Sequence, residues 1–312
     1  MLKKILSDIG WLILPTALSL LRKSGCYAVL AFAACAPLGL CAQSAAPFSL
    51  DDLRALAATK GPTLERAEEV EGGETFTAYV VAFRHAGLRQ YALVAVPKGA
   101  RPAQGLPVLI ANHGFHPDPP RNGFTPEGLN WRPGNYYRSV PAAYTSAGFI
   151  VVMADYRGHN VSEGGEYTSS PKSSEYYAED VVAMARAIGS LEHADIKNVF
   201  MWGHSMGGPI TVTATLAMAQ SPIVIRGASI WSTAEISEKL DQLSIPLLIQ
   251  HAQGDKSAEY QNSTRLASRL KALGKTSTLY TYSGVDHFFS GAQFATAMAR
   301  DVAFFRSQMA ID

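Results

Sequence analysis

The sequence predicts an α/β domain in which helices cover both faces of a mostly parallel β-sheet. From residue 75 onward, short apolar segments alternate with amphipathic segments of helical period. Most of the apolar segments are continuous rather than alternating, which is typical of strands buried on both faces of a parallel sheet. The chain has 312 residues, of which 47% are hydrophobic, and this is enough for one sizeable domain with a large core.

The predicted elements follow one another in a regular order. Residues 76–83 and 88–97 form a strand pair joined by a short turn at Ala86-Gly87. Six further strands are expected at 107–114, 148–158, 198–205, 225–232, 246–255 and 277–284. Helices with an apolar face are expected at 173–190, 209–219, 261–274 and 292–305. The alternation implies right-handed crossovers between parallel strands.

The first 46 residues differ in composition from the rest of the chain. Arg22 and Lys23 precede an apolar segment that ends in small residues, which is the layout of a secretory signal peptide. Cleavage is expected after Ala42, which predicts an exported protein, periplasmic or extracellular. The predicted organisation is a signal peptide at 1–42, a lead-in at 43–74 and the catalytic domain at 75–312.

Two alternatives for this N-terminal segment stay open. Its start is over-extended if translation begins near Leu20 or Leu21, and a lipoprotein anchor at Cys35 is less favoured than cleavage. Asp8 and Gly10 interrupt the first apolar stretch, so a stable membrane span is not expected in the mature protein. All three cysteines lie in the segment to be removed, which predicts a mature chain with neither a disulfide nor a thiol nucleophile.

Charge and histidine spacing limit the classes of ligand. The formal net charge is +1 and no block of like charge occurs, so no nucleic-acid partner is expected. His113, His116 and Asp118 are close together, and His159 is a further candidate metal ligand. Neighbouring prolines limit their convergence and no H-E-x-x-H or Cys/His cluster occurs, so neither a metal nor a cofactor is expected. The oligomeric state stays open.

The pentapeptide Gly203-His204-Ser205-Met206-Gly207 fits the pattern G-x-S-x-G between a predicted strand and a predicted helix. That context is the one a nucleophile elbow requires. Glycines flank the serine because the strained turn brings neighbouring backbone too close for side chains. The pattern alone is weak, since glycine and serine are common in tight turns. Its position after a strand and before a helix predicts Ser205 as a nucleophile.

A serine hydroxyl needs a base beside it, and the base needs an orienting carboxylate. His287 follows the last predicted strand, which places it at the carboxyl edge of the sheet; an ordinary loop histidine is the alternative. Asp255 closes the preceding strand and is the predicted carboxylate. Glu235, which follows the strand at 225–232, is the competing candidate for that role.

Acyl transfer also requires N–H donors that face the developing oxyanion. The backbone of Met206, at the start of a helix, and that of Phe115, in the segment NHGF after a strand, are the predicted donors. Residues 115–138 contain five prolines and three glycines without a period, and a loop of this length is usually functional. The predicted substrate contacts, for which packing within the loop is the alternative, are His116, Phe124, Trp131, Tyr136 and Tyr137.

These segments together resemble the α/β-hydrolase superfamily, and within it the prolyl-oligopeptidase-like and dienelactone-hydrolase-like branch. The matching segments, between about residues 75 and 308, are NHGF, DYRGHNVSEG, GHSMGG, HAQGDKSAEYQNSTRLASRLKALG and GVDHFF. The resemblance implies the α/β-hydrolase fold and a serine hydrolase. The order Ser205, Asp255, His287 is similar to the order of the catalytic residues in that superfamily.

The sequence departs from this branch in three ways. The lead-in is too short for the β-propeller of the branch's peptidases, and a serine replaces the cysteine of dienelactone hydrolases. The connection between the strands at 225–232 and 246–255 leaves little or no room for a lid. We therefore expect a secreted carboxylesterase that acts on a small-molecule ester through an acyl-enzyme. The alternatives are an exported peptidase that cleaves short peptides and a non-catalytic binding module.

Overall fold

A nine-stranded β-sheet lies at the centre of the computed structural model, which describes residues 46–125, 128–130, 137–284 and 286–310. The strands are β1 (Glu65–Val70), β2 (Phe76–His85), β3 (Leu88–Pro97), β4 (Leu106–Asn112), β5 (Gly123–Thr125), β6 (Gly128–Asn130), β7 (Ile150–Asp155), β8 (Ala194–His204), β9 (Ile225–Trp231), β10 (Leu247–Ala252) and β11 (Ser277–Tyr282). The helices are α1 (Leu50–Ala57), α2 (Ser139–Ser146), α3 (Ser173–Ala187), α4 (Gly207–Ala217), α5 (Tyr260–Ala272) and α6 (Gly291–Ser307).

The sheet is mostly parallel, as the sequence predicts. Its strand order is β1-β2-β3-β7-β4-β8-β9-β10-β11, while β5 and β6 form a separate hairpin. Strands β1 to β3 pair antiparallel and β3 also pairs antiparallel with β7. From β7 to β11 all neighbours run parallel. Parallel neighbours need a crossover between them, and α2, α4 and α5 lie in the connections of the neighbouring pairs β4–β7, β8–β9 and β10–β11.

Helices cover both faces of the sheet. One apolar cluster joins the sheet to α1, α3, α4 and α5, and a second joins it to α2 and α6. The apolar segment of strand β4 is continuous because both of its faces are covered. Val108 and Ile110 belong to the first cluster, Leu109 and Ala111 belong to the second, and all four are fully buried. Successive side chains of a strand point to opposite faces, so a strand covered on both sides needs apolar residues at every position.

Two elements near the N-terminus, β1 and α1, are present in the structure but are not among the predicted elements. Strand β1 has the sequence ERAEEV and buries only Val70, so it carries no apolar pattern; it forms by pairing with β2 at the edge of the sheet. Helix α1 begins after Ser49, whose hydroxyl accepts a hydrogen bond from the N–H of Asp52 in a capping box. That capping box is a local signal that the sequence does contain.

The parallel strands end at one edge of the sheet, where the loops after β4, β8, β10 and β11 lie. The connection between β9 and β10 contains only a short 3₁₀ turn at Leu240–Gln242, which agrees with the expected lack of a large lid. No helix in the described part of the chain has the length and apolar character required to cross a membrane. The predicted signal peptide, 1–42, lies outside the described residues.

A buried carboxylate ties the second helical layer to the sheet. Asp301 of α6 is fully buried and accepts hydrogen bonds from Ser229 Oγ (2.6 Å), Gln250 Nε2 (2.6 Å), Trp231 Nε1 (2.9 Å) and Tyr144 Oη (2.5 Å). These donors come from β9, β10 and α2. Burial raises the pKa of Asp301 to about 7, although the four hydrogen bonds oppose the shift.

This raised pKa predicts a pH-dependent contribution to stability. A carboxyl group with a higher pKa in the folded state stabilises the fold when protonated, and this contribution is lost as the pH rises through about 7. Asparagine does not titrate. The advantage of the wild type over Asp301→Asn in unfolding free energy should therefore fall by about 2 kcal/mol between about pH 5.5 and about pH 8. Denaturant unfolding measures this difference, and a difference independent of pH would contradict the expectation.

Candidate active site

Ser205 lies on the sharp turn between β8 and α4. Its φ of 57° is in the left-handed region, which is uncommon for a residue other than glycine. The N–H of Ser205 donates to the carbonyl of Trp231 (3.0 Å), and its carbonyl accepts from the N–H groups of Gly208 (2.9 Å) and Ala234 (3.1 Å). These hydrogen bonds hold the strained backbone in place, and strain of this kind is common at functional sites.

The flanking glycines lie where the chain leaves no room for a side chain. A Cβ atom on Gly203 would lie 2.3 Å from the carbonyl oxygen of Gly207, and one on Gly207 would lie 2.0 Å from that of Asn112. The first turn of α4 therefore packs directly against the end of β4. This close approach explains why both glycines of the pattern are needed here.

His287 and Asp255 form a buried pair. Nδ1 of His287 lies 2.8 Å from Oδ2 of Asp255, and both side chains are less than a tenth exposed. The other carboxylate oxygen of Asp255 accepts the N–H groups of Ser257 (2.8 Å) and Ala258 (2.9 Å). Burial opposes the ionisation of Asp255, but hydrogen bonds from His251, His287 and Ala258 outweigh it and hold the pKa of Asp255 well below its usual range.

Glu235, the competing candidate for the orienting carboxylate, is exposed to solvent. The side chain of Glu235 is 75% exposed, and its carboxylate lies 4.0 Å from the guanidinium of Arg265. Asp286 precedes the predicted base in sequence, and its carboxylate accepts hydrogen bonds from backbone N–H groups. Its Oδ1 accepts the N–H of His287 (2.7 Å) and the N–H of Lys256 (3.2 Å), which joins the loop after β11 to the loop after β10.

The loop after β4 crosses beside the serine. A Cβ atom on Gly114 would lie 2.9 Å from Cβ of Ser205. Among the described residues, neither the N–H of Phe115 nor that of Met206 donates a hydrogen bond to a protein acceptor. The side chain of Phe115 is 69% exposed. The structure therefore brings both predicted oxyanion donors to the sheet edge that carries Ser205.

The predicted substrate contacts have different positions in the structure. Trp131 and Tyr136 lie outside the described residues, and Phe124 lies in the β5 strand. His116 is 3% exposed, and its Nδ1 accepts the N–H of Asp118 at 3.0 Å. In the structure, His116 is therefore packed inside its own loop.

Tyr137 is also buried, at 5% exposure. Its hydroxyl group lies 2.6 Å from the N–H of Gly114 and 2.8 Å from Nδ1 of His204. The phenol therefore lies beneath the loop after β4, where it supports the backbone.

The histidines near this loop stack with aromatic rings. The ring of His113 lies 4.1 Å from that of Tyr156 and 5.1 Å from that of His159, measured between centroids. Burial lowers the pKa of His113 to about 4. Within residues 46–125, 128–130, 137–284 and 286–310, no group of three or more His, Cys, Asp or Glu side chains has the arrangement of a metal site.

Sequence reasoning missed the residues that hold the acid in place. Nε2 of His251 donates to the carbonyl of Ala258 (3.0 Å) and lies 3.2 Å from Oδ2 of Asp255. Nδ1 of His251 then accepts from the hydroxyl of Ser263 (2.7 Å). The spacing of four residues between His251 and Asp255, across the end of a strand, was the available signal for this contact.

Two family models match the chain. Residues 107–228, which include Ser205, match a model described as alpha/beta hydrolase fold. Residues 226–311, which include Asp255 and His287, match the prolyl oligopeptidase family. Both matches agree with the strand order and the elbow described above. The chain therefore has the α/β-hydrolase fold.

Solved structures share the fold of this α/β-hydrolase at low sequence identity. An acylaminoacyl peptidase from Pyrococcus horikoshii is 16% identical, with a TM-score of 0.61 over 77% of this chain and 44% of that chain. A puromycin-hydrolyzing peptidase from Mycobacterium tuberculosis is 18% identical, with a TM-score of 0.59 over 80% of this chain and 40% of that chain. This α/β-hydrolase therefore spans less than half the length of these peptidases.

A smaller enzyme matches over nearly its whole length. Acetyl xylan esterase 1 from a Thermoanaerobacterium species is 13% identical, with a TM-score of 0.55 over 83% of this chain and 99% of that chain. No curated protein sequence matches this α/β-hydrolase significantly.

The geometry predicts that Asp255 rather than Glu235 orients the base. In Asp255→Asn an amide replaces the carboxylate that faces Nδ1 of His287, which favours the wrong tautomer. Hydrolytic turnover should fall by a factor on the order of 10⁴. Glu235→Gln is the matched control and should keep turnover near the wild-type value, because this side chain is exposed. A loss in Glu235→Gln with near-normal turnover in Asp255→Asn would contradict the assignment.

Proposed function

We propose that this protein is a serine hydrolase that cleaves carboxylic esters through an acyl-enzyme. The observation that carries the proposal is the 2.8 Å contact between His287 Nδ1 and Asp255, beside a serine held at a φ of 57°. His287 also accepts a hydrogen bond at its carbonyl from His204, the residue that precedes Ser205. These contacts support a nucleophile, a base and an orienting carboxylate at one edge of the sheet.

The proton positions follow from the contacts of His287. Because Nδ1 faces the carboxylate of Asp255, Nδ1 carries the ring proton and Nε2 is the basic nitrogen. Ser205 Oγ attacks the ester carbonyl while Nε2 takes its proton. The oxyanion then accepts the N–H groups of Phe115 and Met206.

Collapse of this intermediate releases the alcohol, which takes the proton from Nε2 of His287, and leaves the acyl group on Ser205. Water then attacks the acyl-enzyme with the same nitrogen as its base, and the carboxylic acid leaves. Asp255 stays ionised throughout and stabilises the imidazolium, because its hydrogen bonds favour the charged form.

Two features of the described residues support a small ester substrate. In the described residues, no helical insertion between β9 and β10 covers the edge of the sheet. Phe115, whose own N–H is a predicted oxyanion donor, also has an exposed aromatic ring. An apolar acyl or alcohol group of a bound substrate would contact this ring. The similarity in fold and extent to an acetyl xylan esterase is consistent with this class of substrate.

A second candidate is the hydrolysis of short peptides. It is supported by the match of residues 226–311, which carry Asp255 and His287, to the prolyl oligopeptidase family. The same residues can perform this reaction, because His287 would protonate the leaving amine. Protonation of the leaving group matters more for an amide than for an activated ester. The rates of hydrolysis of the two substrate classes by one enzyme therefore distinguish the two proposals.

The experiment compares p-nitrophenyl esters of short acids with peptide p-nitroanilides on the purified protein. We expect a higher kcat/KM for the esters, and we expect Ser205→Ala to lower kcat by a factor on the order of 10⁶. A preference for the anilides would favour the peptidase. Wild-type rates in Ser205→Ala, or a folded wild type inert to both classes, would contradict the hydrolase and favour a binding module.

A further inference from the structure

A buried hydrogen-bond chain connects the three loops of the candidate active site. The N–H of Gly114 lies 2.6 Å from Oη of Tyr137, and Oη lies 2.8 Å from Nδ1 of His204. Nε2 of His204 lies 3.0 Å from the carbonyl oxygen of His287. His204 is fully buried, and Tyr137 and His287 are less than a tenth exposed. The chain therefore runs beneath the site.

The contacts allow one arrangement of protons. A carbonyl oxygen can only accept, so Nε2 of His204 must donate to His287. Burial, together with the nearby ring of His287, lowers the pKa of His204 to about 3, so its ring is neutral and Nδ1 carries no proton. Nδ1 therefore accepts from the hydroxyl of Tyr137. Burial raises the pKa of that phenol above its usual range, so it keeps its proton and accepts the N–H of Gly114.

Each bond of this chain joins segments that are distant in sequence. The partners lie 23, 67 and 83 residues apart along the chain. Gly114 precedes the predicted oxyanion donor Phe115, His204 precedes the predicted nucleophile, and His287 is the predicted base. The pairing of β4 with β8 ends at Asn112 and Gly203, so Gly114 and Phe115 lie beyond that ladder.

We propose that Tyr137 and His204 are positioning residues that fix the loop after β4, which carries Phe115, and the loop after β11, which carries His287, relative to Ser205. This proposal rests on the proposed function, because it assigns these residues a part in the same hydrolysis. Neither residue exchanges a proton with the substrate. Catalysis depends on placement of the reacting groups to a fraction of an ångström, and a displacement of about 1 Å can cost about a hundredfold in rate.

The alternative is that the phenol ring only fills space. The ring of Tyr137 lies against Trp202 at 6.4 Å and His113 at 6.0 Å, measured between centroids, in edge-to-face contacts. Tyr137→Phe keeps these ring contacts and removes only the hydroxyl. Gly114 N–H and His204 Nδ1 then both lose the hydroxyl group that they contact in the wild type. The substitution therefore separates packing from hydrogen bonding.

Tyr144→Phe is the matched control. Tyr144 is a fully buried tyrosine whose hydroxyl donates to Asp301 at 2.5 Å, in the cluster between α2, α6 and the sheet. Removal of its hydroxyl costs a buried hydrogen bond of a comparable kind, and this bond joins α2 to α6 rather than two loops of the site. Both variants should lose stability, and only one should lose catalytic rate.

The first measurement is kcat and KM on p-nitrophenyl acetate. We expect kcat of Tyr137→Phe to fall roughly tenfold to hundredfold with little change in KM, because the lost interaction acts on the transition state. Tyr144→Phe should keep kcat near the wild-type value. Wild-type kcat in Tyr137→Phe, or an equal fall of kcat in both variants, would overturn the proposal.

The second measurement does not depend on activity, so it also applies if the wild type hydrolyses no ester and the proposed function fails. Hydrogen exchange of a peptide covering residues 113–116 should be faster in Tyr137→Phe than in the wild type and unchanged in Tyr144→Phe. In the wild type, nitrogen NMR of labelled histidines should show His204 as the neutral Nε2–H tautomer. Unchanged exchange in Tyr137→Phe, or an Nδ1–H tautomer of His204, would overturn the proposal.

Discussion

The left-handed backbone of Ser205 sets where the loops around the candidate site can lie. At a φ of 57°, this residue helps to turn the chain from the end of β8 into α4 within two residues, Ser205 and Met206. The turn is tight enough that α4 starts against the carbonyl of Asn112, where a Cβ on Gly207 would lie only 2.0 Å away. The loop after β4 is thereby brought beside the serine, and the two predicted oxyanion donors meet there. Sheet order supplies the remaining groups, because β10 and β11 end at the same edge.

The buried histidines and carboxylates of this chain differ in the protonation state that their surroundings favour. Asp255 is held ionised by four donors from its own loop and from two histidines, so it can stabilise a cation that forms on His287. Asp301 is equally surrounded by donors, but all of them are neutral and burial dominates, which raises its pKa. His204 is kept neutral by burial. A neutral ring between two loops gives a fixed donor and a fixed acceptor, which suits a positioning role.

Much of the fold could be predicted from the sequence, because the parallel strands are covered on both sides and so carry continuous apolar segments. The eight predicted strands are all present, and the α/β class with helices on both faces is confirmed. Strand β1 could not be predicted, since only Val70 is buried and pairing with β2 creates it. Ser205, Asp255 and His287 could be chosen because each follows a strand. The contacts of Tyr137 could not, because they join residues whose proximity is visible only in the folded chain.

The proposed hydrolysis depends on a Ser205 hydroxyl that is activated by His287. Incubation with a fluorophosphonate, followed by intact-protein and peptide mass spectrometry, detects this activation, since the reagent reacts only with an activated nucleophile. We expect one phosphonyl group per chain, on Ser205, and its loss in a folded His287→Ala variant. A wild-type protein that stays unmodified, or a label on another residue, would contradict it.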